Sequence, residues 1–136
     1  KVVHFVHLAL DRIVSLDYDF SIPMAINTFD GDSYYKDIVG VTLNNVRLSK
    51  VDLWIDRENA PYVITKPLHH SQFVIKENDD KSIVVRLNVK VNYEFERLLL
   101  GFGESLEVLY PLFLRNRIAI KLQAALYKYK EKDEEY

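Results

Sequence analysis

Gly101-Phe102-Gly103 is the stretch of the chain that most resembles a ligand loop. A phosphate or dinucleotide loop runs strand, glycines, helix, because the anion sits on the amides at the helix's amino end. Here the order is reversed: a helical apolar stripe precedes the glycines, a strand pattern follows, and no lysine-serine or lysine-threonine pair is present. Gly101 is therefore expected to end a helix in the left-handed conformation, with Gly103 allowing the turn into the next strand. The histidines are no better placed for chemistry. His4 and His7 fall on opposite faces of a strand, and the neighbours His69 and His70 cannot both aim at one metal without help from elsewhere, so no metal site is assigned. Asp30-Gly31-Asp32 lacks the spacing and closing glutamate of a calcium loop and reads as a turn. No carboxylate stands at triad spacing from a His or Ser. No catalytic residue and no cofactor are assigned.

Cations are the remaining candidates. Arg86 and Lys90 share one face of a strand, and residues 111–130 hold Arg115, Arg117, Lys121, Lys128 and Lys130 with no acid. Cations near a helix's carboxyl end favour its dipole, so a solvated face is one reading. The other is a grip on a phosphate-bearing ligand or single-stranded nucleic acid, in which Arg86, Lys90, Arg115 and Arg117 would take part.

The elements that must position these groups follow from periodicity. Val2 to Leu16 alternates loosely and reads as one strand with no partner nearby. It either closes a sheet whose other strands lie outside this sequence or pairs with a later element. Residues 17–45, with six acidic and three basic residues over 1–45, read as a connector in which Ser33 caps a short helix from Tyr34 to Val39, ended by Gly40. Val46 to Ile55 is a strand with a phase slip near Lys50 that suggests a bulge. Asn59 caps a short helix with Pro61 in its first turn. Gln72 to Glu77 and Ser82 to Val91 form a hairpin through Asn78-Asp79-Asp80-Lys81. Asn92 caps a helix with the stripe Phe95, Leu98, Leu99, Phe102. Leu106 to Tyr110 is a fourth strand, and Pro111 opens a long helix to about Lys130. The fold class is thus α+β: a ferredoxin-like βαββαβ sandwich with an additional C-terminal helix, one sheet face taking two helices and the other free.

On the long helix, Leu114, Ile118, Leu122, Ala125 and Tyr129 form the stripe expected to pack on the sheet. A second stripe, Phe113, Ile120, Ala124 and Tyr127, marks either a contact with another domain or subunit, or a helix wedged deep in its own core.

Composition limits the partners. The 136 residues are about half apolar, enough for one buried core. Eighteen basic against twenty acidic residues give a formal charge of -2, so any attraction to nucleic acid must be local. Without cysteine there is no disulfide framework, thiolate zinc site or cysteine nucleophile, which fits a reducing compartment; the cytoplasm is expected. No apolar run approaches the roughly 20 residues of a membrane span, and Lys1-Val2-Val3-His4 suggests a piece of a longer protein.

The residues also resemble a family. Leu10-Asp11-Arg12-Ile13 resembles the closing strand of the WYL domain of bacterial transcriptional regulators, and the remainder resembles the C-terminal extension of those proteins, WCX. The matching pieces are Lys66-Pro67-Leu68-His69-His70-Ser71-Gln72, Tyr93-Glu94, Gly101-Phe102-Gly103, and Leu106-Glu107-Val108-Leu109-Tyr110-Pro111 with Leu114-Arg115, together spanning most of 46–129. The resemblance implies a regulator that binds DNA through an N-terminal winged helix-turn-helix absent here, senses a ligand, often nucleic acid or a nucleotide, through its WYL domain, and dimerises or transmits the signal through WCX. Residues 1–16 would be the last strand of a truncated WYL domain, 17–45 a connector, 46–130 the WCX domain and 131–136 a charged tail. Of the WYL ligand-contact positions only Arg12 carries over; it is either such a contact or a strand arginine paired with Asp11 or Asp17. Ala9 stands where the family often has arginine.

The expectation is a non-enzymatic regulatory and oligomerisation module, a homodimer through Phe113, Ile120, Ala124 and Tyr127, with a nucleic-acid or nucleotide effector. The alternative is a small-molecule-binding or catalytic ferredoxin-like domain using a pocket between sheet and connector, with His69 or His70.

Overall fold

The computed structural model describes residues 9–23, 28–43 and 46–130. Four strands form one antiparallel sheet: β1 (Leu48–Ile55), β2 (Phe73–Glu77), β3 (Ile83–Lys90) and β4 (Leu106–Tyr110), in the order β2-β3-β1-β4. Helices α2 (Ala60–Thr65) and α3 (Tyr93–Leu100) fall between β1 and β2 and between β3 and β4, α1 (Gly31–Tyr35) precedes the sheet, and α4 (Leu112–Lys130) follows it.

Strand alternation decides the layers. Val51, Leu53 and Ile55 of β1 sit in register with Leu87, Val85 and Ile83 of β3, and all six are buried. They form one core with Ala60 and Val63 of α2, Phe95 and Leu99 of α3, and Leu114 and Ile118 of α4. The intervening residues point the other way, where Asp52 stands opposite Arg86 and Lys50 opposite Asn88.

Local chemistry sets the ends. The Asn92 side chain accepts the Phe95 amide hydrogen at 2.8 Å, capping α3. Asn59 does not cap α2 in this way; Asp56 Oδ1 instead accepts from the Asn59 backbone and side-chain amides. In the hairpin, Lys81 takes φ 70° and the Asn78 and Ser82 backbones pair across the turn. The glycines exchange their expected roles. Gly101 is right-handed, with φ -67°, and its amide donates to the last carbonyls of α3, while Gly103 is the left-handed residue at φ 56°. A short 3-10 turn, Gly103–Ser105, separates α3 from β4, which postpones the reversal by two residues.

Several expectations are corrected. Residues 1–8 of the proposed first strand lie outside the described residues; of the rest, Leu10–Arg12 form a 3-10 turn and residues 13–16 no strand. Ladder hydrogen bonds need a neighbour, and no described strand offers one. The connector helix starts earlier than expected because Asp30, not Ser33, caps it, accepting from the Ser33 amide. The irregularity in β1 is not at Lys50: pairing with β3 is continuous, and the register shift lies between Asp52 and Leu53 against β4.

The long helix departs most from its predicted packing. Leu114 and Ile118 are buried, but Leu122, Ala125 and Tyr129 are exposed. Length explains this. A helix of 19 residues is about 28 Å long, whereas α3, its neighbour, has eight residues and reaches about 12 Å. From Leu122 onward every described residue of α4 is exposed.

Candidate functional site: a clamped connector and a projecting helix

Two arrangements stand out, both built on the cap and first turns of α3. At the first, residues 36–42 are tied down as a strap. The Asn92 side-chain amide donates to the Val39 and Thr42 carbonyls at 2.8 and 3.0 Å, so one buried side chain both caps α3 and holds the connector. Glu94 Oε1 accepts from the Val41 and Thr42 amides and from the Thr42 hydroxyl. Burial pushes the Glu94 carboxyl up, but these donors outweigh it and hold it below the ordinary range. Its Oε2 is buried without a hydrogen-bond partner. Gly40 makes the close approach possible: it has φ 77°, and a Cβ there would lie 2.9 Å from the Glu94 side chain.

The histidines belong to this strap. His69 Nε2 and His70 Nε2 both meet the Lys36 carbonyl, His69 at 2.8 Å, and His69 Nδ1 meets the Ser71 hydroxyl at 2.7 Å. Burial, followed by the neighbouring His70, holds the His69 pKa below its ordinary value, so the ring is neutral at neutral pH. Beside them a cleft of about 770 Å³ lies between α1 and the strap, the pocket that the catalytic alternative requires. Both His69 ring nitrogens are occupied by structural partners, so it presents neither as a base or ligand there. Among the described residues no three His, Asp or Glu side chains form a metal-holding group.

At the second arrangement, Glu96 joins α3 to α4. It is buried, and it accepts from Arg117 Nη1 and, at 2.6 Å, from Lys121 Nζ. Burial raises its carboxyl, the hydrogen bonds from Lys121 and Arg117 and their charges lower it, and the net direction is downward. Arg115 wraps to β4, donating to Glu107 and, at 2.8 Å, to the Val108 carbonyl.

The cations singled out from sequence do not converge. Arg86 makes a two-pronged pair with Asp52 at 2.7 and 2.8 Å, which lowers the Asp52 carboxyl first through that hydrogen bond. Lys90 pairs with Asp37 at 3.6 Å, and Arg115 and Arg117 meet Glu107 and Glu96. Arg12 is exposed in the 3-10 turn, where among the described residues no ion pair with Asp11 or Asp17 engages it. By contrast Phe113, Ile120, Ala124 and Tyr127 are all exposed, Ile120 at 66% and Tyr127 at 61%, which removes the reading of α4 as a helix wedged in its own core.

Sequence reasoning found Asn92 as a cap but missed the strap, and Gly40 ends no helix: α1 stops at Tyr35, and the left-handed Gly40 lies beyond it against Glu94. The second half of Asn92's hydrogen bonding and the role of Glu94 join residues some 50 positions apart, and no local pattern encodes such a pairing.

The architecture is a four-stranded antiparallel sheet backed by helices, with a clamped segment entering it and a long helix with an exposed outer half leaving it. The WCX domain model matches residues 47–126, and the chain belongs to that family, the C-terminal extension of WYL-type transcription regulators. The WCX domain is a part of regulators, not of enzymes. No curated protein matches the chain. No helix among the described residues is long and apolar enough to cross a membrane.

Proposed function

We propose that this chain is the oligomerisation and signal-relay part of a cytoplasmic WYL-type transcription regulator, self-associating through α4 and coupled to its WYL domain through the strap at 36–42. Residues 1–45 are read as the end of that WYL domain and its connector, and DNA is bound by a winged helix-turn-helix elsewhere in the regulator. The sheet order β2-β3-β1-β4, in which β3 lies between the two strands joined by α2, supports a ferredoxin-like split βαβ.

One observation carries the reading: in the outer half of α4 the apolar side chains Leu122, Leu126 and Tyr129 are exposed, at 42%, 54% and 78%. Its occupant is a second copy. Arg115 pairs with Glu107, and Arg117 and Lys121 share Glu96, which leaves one net positive charge among the five and limits the repulsion between two such helices. Ile120→Asp with Tyr127→Asp should convert the dimer to monomer in sedimentation at micromolar concentration, with the fold kept, since both side chains are exposed. An unchanged sedimentation coefficient would sink the assignment.

A nucleic-acid or nucleotide effector has its best support on the open sheet face. Phe73 and Tyr110 lie exposed in register with Arg86 and Asp52, and Lys50 Nζ stands 5.6 Å from the Tyr110 ring centroid. Aromatic faces beside cations suit stacked bases and their phosphates. Replacing Arg86 by alanine should weaken binding of a fluorescent single-stranded oligonucleotide and reduce the log–log salt slope by about 0.7. Identical titrations at low and moderate salt would exclude this face.

A further inference from the structure

A cleft of about 640 Å³ lies between α2 and α3, within the range of roughly 300–1,000 Å³ typical of small-molecule sites. Tyr62 and Lys66 line it from α2 and its cap, and Arg97, Leu98 and Phe102 line it from α3 and the residues after it. No acid lines it. This sets its cations apart from those above. Arg86, Lys90, Arg115, Arg117 and Lys121 each meet a carboxylate. Lys66 and Arg97 have no carboxylate partner among the described residues and lie over aromatic rings instead: Lys66 Nζ is 5.5 Å from the centroid of Tyr62, and Arg97 Cζ is 5.5 Å from that of Tyr93.

The rim is fixed by hydrogen bonds. Gln72 donates from its side-chain amide to the Val63 carbonyl at 2.8 Å and accepts from the Leu68 amide at 2.9 Å, binding the last turn of α2 to the loop that follows. Thr65 adds a hydroxyl bond to the Pro61 carbonyl at 2.9 Å. A cleft whose rim is held by hydrogen bonds between side chains and backbone loses little freedom when a ligand enters.

We propose that this cleft binds a small anion carrying a planar ring: the ring rests on Tyr62, Leu98 and Phe102, and the phosphate or carboxylate lies between Lys66 and Arg97. The aromatic and aliphatic wall supplies apolar contact, and two cations with no acid among the lining residues supply charge complementarity. Neither feature alone suffices. Inorganic phosphate lacks the ring, and a neutral ring lacks the charge.

The test is a titration of the whole chain followed by backbone amide NMR, using adenosine 5′-monophosphate, indole-3-acetate, adenosine and inorganic phosphate as probes. A ring-bearing anion should shift the amides around Tyr62, Arg97 and Phe102 saturably, with Kd of about 1 mM or tighter. Saturation by the phosphate probe alone or by the carboxylate probe alone supports the site and names the source of the anion. Lys66→Gln with Arg97→Gln should weaken that binding at least about tenfold without moving the thermal midpoint, as both side chains are exposed. Equal binding of adenosine or inorganic phosphate, no saturable shift with either ring-bearing anion, or undiminished affinity in the double variant would overturn the proposal. None of these results depends on dimerisation through α4.

Discussion

Asn92→Ala is expected to destabilise the domain by about 2 kcal/mol: about 1 for the lost helix cap and about 0.5 for each of the two hydrogen bonds lost to the part-exposed Val39 and Thr42 carbonyls, which water can reach. The side chain is buried, and its amide holds Val39 and Thr42 while its oxygen holds Phe95. Asn92→Asp separates the two roles. It keeps an acceptor for the Phe95 amide but turns an oxygen toward the Val39 and Thr42 carbonyls, so the cap survives and the strap opens. Urea denaturation measures the first effect. Hydrogen exchange at Val41 and Thr42 measures the second, which should rise sharply in both variants while α3 stays protected in the aspartate variant. If exchange at those amides, which donate to Glu94, is unaltered, Glu94 holds the connector without Asn92, and the part given to Asn92 in the relay is wrong.

The second large effect concerns Glu96. With Arg117→Met and Lys121→Met together, a carboxylate only 4% exposed keeps its burial and loses both cations. Breaking a buried pair by removing the cations costs roughly 3–5 kcal/mol; because Arg117 and Lys121 are themselves partly solvated, about 3 is expected here. The reverse change, Glu96→Gln, frees two cations that can rehydrate and should cost nearer 1 kcal/mol.

The pH dependence has opposite signs in the two proteins. In the natural sequence the Glu96 carboxyl is held below its ordinary value, so its contribution is complete above about pH 4.3 and is lost as pH falls through the lower folded value. In the double variant only burial acts, the folded pKa rises above the unfolded one, and protonation relieves the cost. Its stability relative to the natural protein should therefore improve as pH drops from neutral toward the carboxylate range; the lowered His69 pKa destabilises both proteins below about pH 6.5 and cancels in that difference. Urea midpoints measured between about pH 3 and 7 distinguish the two. Parallel curves would mean that Glu96 is not the group joining α3 to α4.

Much of this protein was determined by the sequence alone. Alternation in Val51, Leu53, Ile55 and in Ile83, Val85, Leu87, Val89 placed one face of each strand in the core, because successive side chains of a strand must point to opposite sides. The Asn92 cap, the hairpin after Glu77 and the extent of α4 were equally local, and the pieces from Lys66 to Arg115 placed the chain in its family. What only the tertiary structure decided is which groups satisfy one another across distance. Arg86 and Asp52 lie on different strands, Glu96 and Lys121 on different helices, and the strap meets α3 across some 50 residues. A cation's spacing in the chain shows that it is charged and solvated, but whether it is spent on a neighbour or left for a ligand depends on which carboxylate the fold brings within hydrogen-bond reach. The same holds for the apolar stripe of α4, whose period is a local property while its cover is set by the length of α3.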